Sequence, residues 1–175
     1  MARIGVVTIS DGRDHVHARN ADFIRSKQDG LVRTLRAAGH EVVVGEKLVA
    51  TNALATSVAR KVAAADVDVT VFYYTVWAFP HFTMLAADAT RSPLVLVAST
   101  DPTEPGLVGM LAAGGALDQI GRKHTRAWGA PDDAELAEQI GVQATAAAAV
   151  KSLHGSTFGR FGGRPMGMNT AVTNT

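Results

Sequence analysis

Residues Thr70 to Phe82 read TVFYYTVWAFPHF, and this stretch decides the fold. From Val69 to Tyr74 the residues are β-branched or aromatic without interruption, the pattern of a strand buried on both faces. The run passes straight into Trp77, Phe79, Pro80, His81 and Phe82, so a buried strand delivers aromatic and polar groups to its own end. Such a cluster is either core filling or one wall of a ligand site, and the pattern alone leaves both open.

The segments on either side alternate in the same way. Arg3 to Ile9 is a short apolar run that stops at Ser10-Asp11-Gly12-Arg13, and Glu41 to Val44 is a second. Between them, Ile24, Leu31, Leu35 and Ala38 recur at helical spacing from about His17 to Ala38, opposite a mixed-charge face that includes Arg19, Arg25 and Arg33. Thr51 or Asn52 can cap a helix carrying Leu54, Val58 and Val62, and His81 to Ala89 suits a short helix after the opening strand. Pro93 to Ala98 is again an apolar strand. Pro105 then sits in the first turn of a helix expected to place Leu107 and Leu111 inward, with Glu104 beside its positive end. Gly114-Gly115 inside that helix costs about 1 kcal/mol per glycine against alanine, which predicts the close approach of another backbone. Thr125 to Trp128 is a fifth strand, and Pro131-Asp132-Asp133 opens a helix to Leu153 that Gly155 ends. The result is an α/β fold: a three-layer, open parallel sheet of about five strands, flavodoxin-like or Rossmann-like. In the order 2-1-3-4-5 the first and third strands are neighbours, which places Asp11 to Arg13 beside Thr75 to Trp77 at the switch point, flanked by Ser99 to Glu104.

Composition narrows the function. The 175 residues are 47% hydrophobic, enough for one domain and a remainder, and 17 Lys and Arg against 16 Asp and Glu leave a charge of +1. That balance offers no general attraction to nucleic acid or to an anionic membrane. The absence of cysteine removes disulfides, thiolate metal sites and cysteine nucleophiles, and suits a reducing, cytoplasmic location. MARIGVVTIS reads as a strand and not as a signal peptide, and no stretch reaches the roughly 20 apolar residues of a membrane span.

Several groups are candidates for chemistry. Gly12 permits a tight turn and Arg13 offers a planar fork for hydroxyl or carboxylate oxygens; the competing reading is a surface turn with a structural ion pair. Trp77 and its aromatic neighbours can stack on the C–H face of a sugar ring with His81 free to hydrogen-bond, or can be a packed loop. His15 and His17 diverge on a helix and make a poor metal pair. Asp101 and Glu104 are close enough for acid–base work, though a helix start explains Glu104 equally well. The Gly159 to Arg164 run, GRFGGR, lacks the Lys-Ser/Thr of a phosphate loop and the spacing of a dinucleotide fingerprint.

Four segments in one order, IGVVTISDGR (Ile4 to Arg13), YYTVWAF (Tyr73 to Phe79), TEPGLVGMLAAGGAL (Thr103 to Leu117) and GGRPMGM (Gly162 to Met168), resemble the N-terminal domain of the L-fucose isomerase family, with L-arabinose isomerases as more distant relatives. The resemblance implies that Arg13 and Trp77 contact a small-molecule sugar, with Asp11, His81 and Glu104 as further candidate contacts. Around Trp77 the sequence departs from the family, with Val76, Ala78 and Phe79 where cysteine and tyrosine are expected. The resemblance further implies a first domain at residues 1–154 and, at 155–175, the start of a second domain that is cut short. The complete enzyme is then an aldose–ketose isomerase, an intramolecular oxidoreductase that moves a proton between C1 and C2 through an ene-diol. Its Mn²⁺ ligands and catalytic groups are expected outside these residues, so the segment alone is expected to be inactive. Assembly as a homohexamer is implied, with the first domain capping a neighbour's substrate site. The alternative is a free-standing sugar-binding or regulatory α/β domain without catalysis.

Overall fold

A computed structural model of the chain describes residues 1–159. Strands β1 (Arg3–Ile9), β2 (Glu41–Val44), β3 (Val69–Tyr74), β4 (Leu94–Ser99) and β5 (Thr125–Gly129) alternate with helices α1 (Asp14–Ala37), α2 (Asn52–Ala64), α3 (Pro80–Asp88), α4 (Gly106–Gln119) and α5 (Ala134–Leu153). All pairings are parallel in the order β2-β1-β3-β4-β5, which makes the fold an open three-layer α/β sheet of five strands. Residues 160–175 lie outside the described residues, and with them the GGRPMGM segment and most of the expected second-domain start.

Alternation along β3 sorts the two cores. Val69, Val71 and Tyr73 pack with Leu31 and Leu35 of α1 and Ile140 of α5. Phe72 and Tyr74 point the other way, into Val58 and Val62 of α2, Phe82 of α3 and Met110 of α4. Every β3 residue is buried, as the uninterrupted apolar run requires of a strand covered on both sides. The cap of α2 is Thr51, whose hydroxyl accepts from the Leu54 amide at 3.2 Å. The Asp133 carboxylate accepts from the Glu135 amide to start α5.

Two sequence expectations about α4 are corrected by its seating. Its inward face is Gly106, Gly109, Met110, Ala113, Gly114 and Leu117, while Leu107 and Leu111 turn out to solvent at 38% and 49% exposure. The reason is backbone contact. A Cβ on Gly106 would stand 2.7 Å from the Tyr74 carbonyl oxygen, and one on Gly109 would stand 2.9 Å from that of Val76. Only glycine allows the helix to lie against the chain leaving β3, and that rotation carries the leucines outward. Among the described residues the Gly114-Gly115 pair does not meet another backbone: Gly114 faces the Arg126 guanidinium, and a Cβ at Gly115 would meet none of them within 4 Å.

We expect Gly106→Ala to lower the unfolding free energy by about 1–3 kcal/mol, since neither the helix nor the β3 exit can yield without moving backbone. Gly115→Ala, in open space, should be neutral or stabilising by up to about 1 kcal/mol in dilute protein. Urea midpoints of the two variants check both, and a neutral Gly106→Ala would mean that α4 does not rest on β3.

Candidate functional site

Ile9 of β1 is in register with Tyr74 of β3, so the two strands end side by side and their exit loops leave together. Asp11 lies in the first of these loops, buried at 1% exposure. One carboxylate oxygen accepts from the Arg13 backbone amide at 2.9 Å and from its Nε at 3.0 Å, and the other accepts from its Nη2 at 2.5 Å. This bidentate grip fixes the guanidinium plane. Arg13 Cζ then stands 5.5 Å from the centre of the Trp77 ring, which arrives from the β3 exit. With Nε and Nη2 turned to Asp11 and half of the side chain exposed, Nη1 remains available to oxygens of a ligand.

An aromatic chain holds this pair from behind. Trp77 meets Phe79 edge-on at 4.7 Å, Phe79 meets Phe82 at 6.0 Å, and His81 meets Phe82 at 4.5 Å. Gly12 presses on it directly, since a Cβ there would lie 2.7 Å from Phe82 and 2.9 Å from Phe79. Phe82 is buried, and Trp77 is only partly so. The imidazole of His81, on the first turn of α3, is exposed and stacks on rings.

The β4 exit and α1 close a second arc. Lys27 Nζ donates to Asp101 at 2.6 Å, and Arg19 lies 3.8 Å from Glu104. The Lys27 bond, aided by the Thr103 hydroxyl and amide, holds the Asp101 carboxyl well below the usual carboxylate range. Arg13 does the same for Asp11, against the opposing effect of burial. Both carboxyls are therefore anions at neutral pH. No hydrogen bond joins Asp101 to Glu104 among the described residues, which leaves the acid–base pairing of these two without geometric support. His17 Nδ1 is 2.8 Å from the Ser10 hydroxyl, an interaction that ties α1 to the β1 exit.

Arg19 and Lys27 were not legible as site residues: Arg19 reads as part of a mixed-charge helix face, and Lys27 carries no pattern of its own. Only the fold sets them against β4's exit. Thr75, which the strand order already placed at the switch point, and Asn20, which gave no signal in sequence, are buried with Oγ1 and Nδ2 lacking a hydrogen-bond partner among the described residues.

Among the described residues no three His, Asp or Glu side chains come together in a way that could hold a metal ion. Among them, too, no helix is long and apolar enough to cross a membrane. Compared with known families, residues 1–155 match the one described as L-fucose isomerase, first N-terminal domain. A comparison with curated proteins finds no match.

The lowered carboxyls set the acid limb of stability. A carboxylate whose pKa is lower in the folded chain stabilises fully above its unfolded value of about 3.9, and the contribution fades as pH falls through the folded value. Asp11→Asn and Asp101→Asn should each lose stability relative to the parent at neutral pH, with the difference closing at strongly acid pH. Unfolding followed across pH checks this, and a pH-independent difference would detach the loss from ionisation.

Proposed function

The chain belongs to the L-fucose isomerase family, matched as that enzyme's first N-terminal domain, and from this premise we propose that it supplies sugar contacts to the active site of an aldose–ketose isomerase. The observation that carries the reading is the Arg13 guanidinium, clamped by the buried Asp11 and laid over Trp77. An open-chain aldose has hydroxyl oxygens along one side and a C–H skeleton along the other. Arg13 donates from Nη1 to the hydroxyls far from the reacting end, and Trp77 packs on the skeleton. Asp11 is a positioning residue that keeps the fork in its plane, and it does not exchange protons because Arg13 stabilises its anion.

Charge supports an uncharged polyol. The cations beside the exits of β1, β3 and β4 are matched, Arg13 with Asp11, Arg19 with Glu104 and Lys27 with Asp101, so a phosphate group would find no unpaired positive charge among these three. His81 and Glu104 sit on the rim as further contacts. The residues described do not fit the Mn²⁺ that the resemblance implies, and no step is assigned to it. Proton transfer between C1 and C2 is accordingly the work of groups outside this domain. In this reading residues 1–154 form a capping and oligomerisation domain, 155–175 begin a second one, and the assembly is a cytoplasmic homo-oligomer, a hexamer by the same resemblance. L-arabinose-type sugars are the nearest alternative substrates.

In the enzyme that carries this domain, Arg13→Ala and Trp77→Ala should each lower kcat/KM on L-fucose by about 10- to 100-fold, the scale of a lost charge-assisted hydrogen bond or aromatic contact. Steady-state kinetics with unchanged assembly check this, and wild-type values in both variants would remove the assignment. The purified 175-residue chain alone should isomerise no aldose, with or without added Mn²⁺. Turnover by it would place the chemistry inside these residues.

A further inference from the structure

A second concavity lies at the opposite end of the sheet from Arg13 and Trp77. It is a cleft of about 900 Å³ at the amino ends of β3 and β4, between the α2–β3 and α3–β4 connections and the last turns of α5. That volume falls in the range of roughly 300–1,000 Å³ common to small-molecule sites. The length of β3, roughly 17–20 Å for a strand of this size, separates the cleft from the β3 exit.

The ionisable groups that line it are Arg60, Asp66, Asp68, Arg91, Lys151 and His154. Lys151 is taken up by one wall: its Nζ lies 2.9 Å from the Asp66 carboxylate and 3.2 Å from that of Asp68, and it donates to the Asp66 carbonyl at 2.7 Å. Both carboxylates of the lining are thereby engaged. Arg60 and Arg91, exposed on the other walls, make no ion pair and no side-chain hydrogen bond among the described residues. Arg91 is nonetheless held in place through its neighbours. The Thr90 and Ser92 carbonyls accept from Arg122 Nη2 at 3.0 and 3.3 Å, and their hydroxyls meet each other and that of Thr70. Its backbone is fixed on both sides while its guanidinium is left free. Ala63, Ala89, Pro93, Ala147 and Val150 make the remaining surface small and apolar.

We propose that this cleft binds a small organic anion, a carboxylate or phosphate head on an apolar body, with Arg60 and Arg91 holding the head and the alanines and Val150 receiving the body. Two guanidiniums offer planar forks that match anionic oxygens, and no carboxylate of the lining is left over to satisfy them. An uncharged polyol would leave both charges unmatched, so the ligand differs in class from the sugar assigned to the other end. The site is independent of the sugar contacts, which Arg13 and Trp77 kinetics test separately.

Titration of the full chain with sodium hexanoate, hexyl phosphate, sodium acetate and 1-hexanol, followed by backbone amide NMR, tests this. Hexanoate or hexyl phosphate should shift the amides of Arg91, Ser92, Ala147 and Val150 along one saturable curve, and the tighter of the two identifies the head. Acetate, which lacks the body, and 1-hexanol, which lacks the charge, should each bind at least about 10-fold more weakly. Arg60→Gln and Arg91→Gln should each weaken the tighter anion about 10-fold and leave thermal unfolding unchanged, whereas Arg25→Gln, exposed on α1, should alter neither. Binding of 1-hexanol as tight as that of the anions, an affinity indifferent to both arginine substitutions, or no saturable binding of either six-carbon anion by about 10 mM would each overturn the proposal.

Discussion

Gly106 and Gly109 bring the first turns of α4 so close to the carbonyls of Tyr74 and Val76 that a single added carbon would collide with backbone. Contact of this kind admits almost no play, because neither partner is the end of a flexible side chain. It fixes Thr75 to Ala78, which is the segment that carries Trp77 to the end of the sheet. On the opposite side, Gly12 performs the same service against Phe79 and Phe82. The β3 exit is thus held from two directions by positions where a side chain is missing, and the aromatic rings fill the space between them.

On this rigid exit the charges act mainly as guides. Arg19 and Glu104 form a loose and largely solvated pair, a class worth between zero and about 1 kcal/mol, so it contributes little to stability. Asp11 differs because its carboxylate is buried and would be stranded without Arg13; breaking such a pair is costlier than forming it is favourable. Of these two pairs, the one that is costlier to break is therefore the one that orients the fork over Trp77. Matching of each cation by its own carboxylate also keeps the strand ends near neutrality, which suits hydroxyl recognition through directed hydrogen bonds better than attraction of an ion.

Much of this architecture is legible in the sequence, for a physical reason. Parallel strands covered on both faces need unbroken apolar runs, and Ile4–Ile9, Val69–Tyr74 and Leu94–Ala98 supply them, so the element order and the neighbouring ends of β1 and β3 follow from pattern and topology. What pattern cannot show is rotation about a helix axis when almost every residue is apolar. In α4 the leucines are the obvious core candidates by size, yet the glycines win the inner face because backbone contact is available only to them. Arg19 and Lys27 illustrate the same gap from the polar side: periodicity places Arg19 on a charged face and says nothing of Lys27, and only the fold sets them against Glu104 and Asp101 beyond β4. Asn20 and Gln28, buried within the stripe that the apolar spacing defines, were hidden by it too.

The inner and outer faces of α4 are not independent features. Gly106, Gly109 and Gly114 take the inner side together with Met110, Ala113 and Leu117, and that seating turns Leu107, Val108 and Leu111 outward, where they form an apolar face. The spacing that seats α4 on the β3 exit, and so sets Trp77 in place, is thus the same spacing that leaves Leu107, Val108 and Leu111 at the surface. Any change that rotated α4 to hide Leu107 and Leu111 would withdraw the support beneath Tyr74 to Ala78, so in this chain the apolar exterior of α4 and the geometry of the proposed sugar site are tied to one choice of small residues.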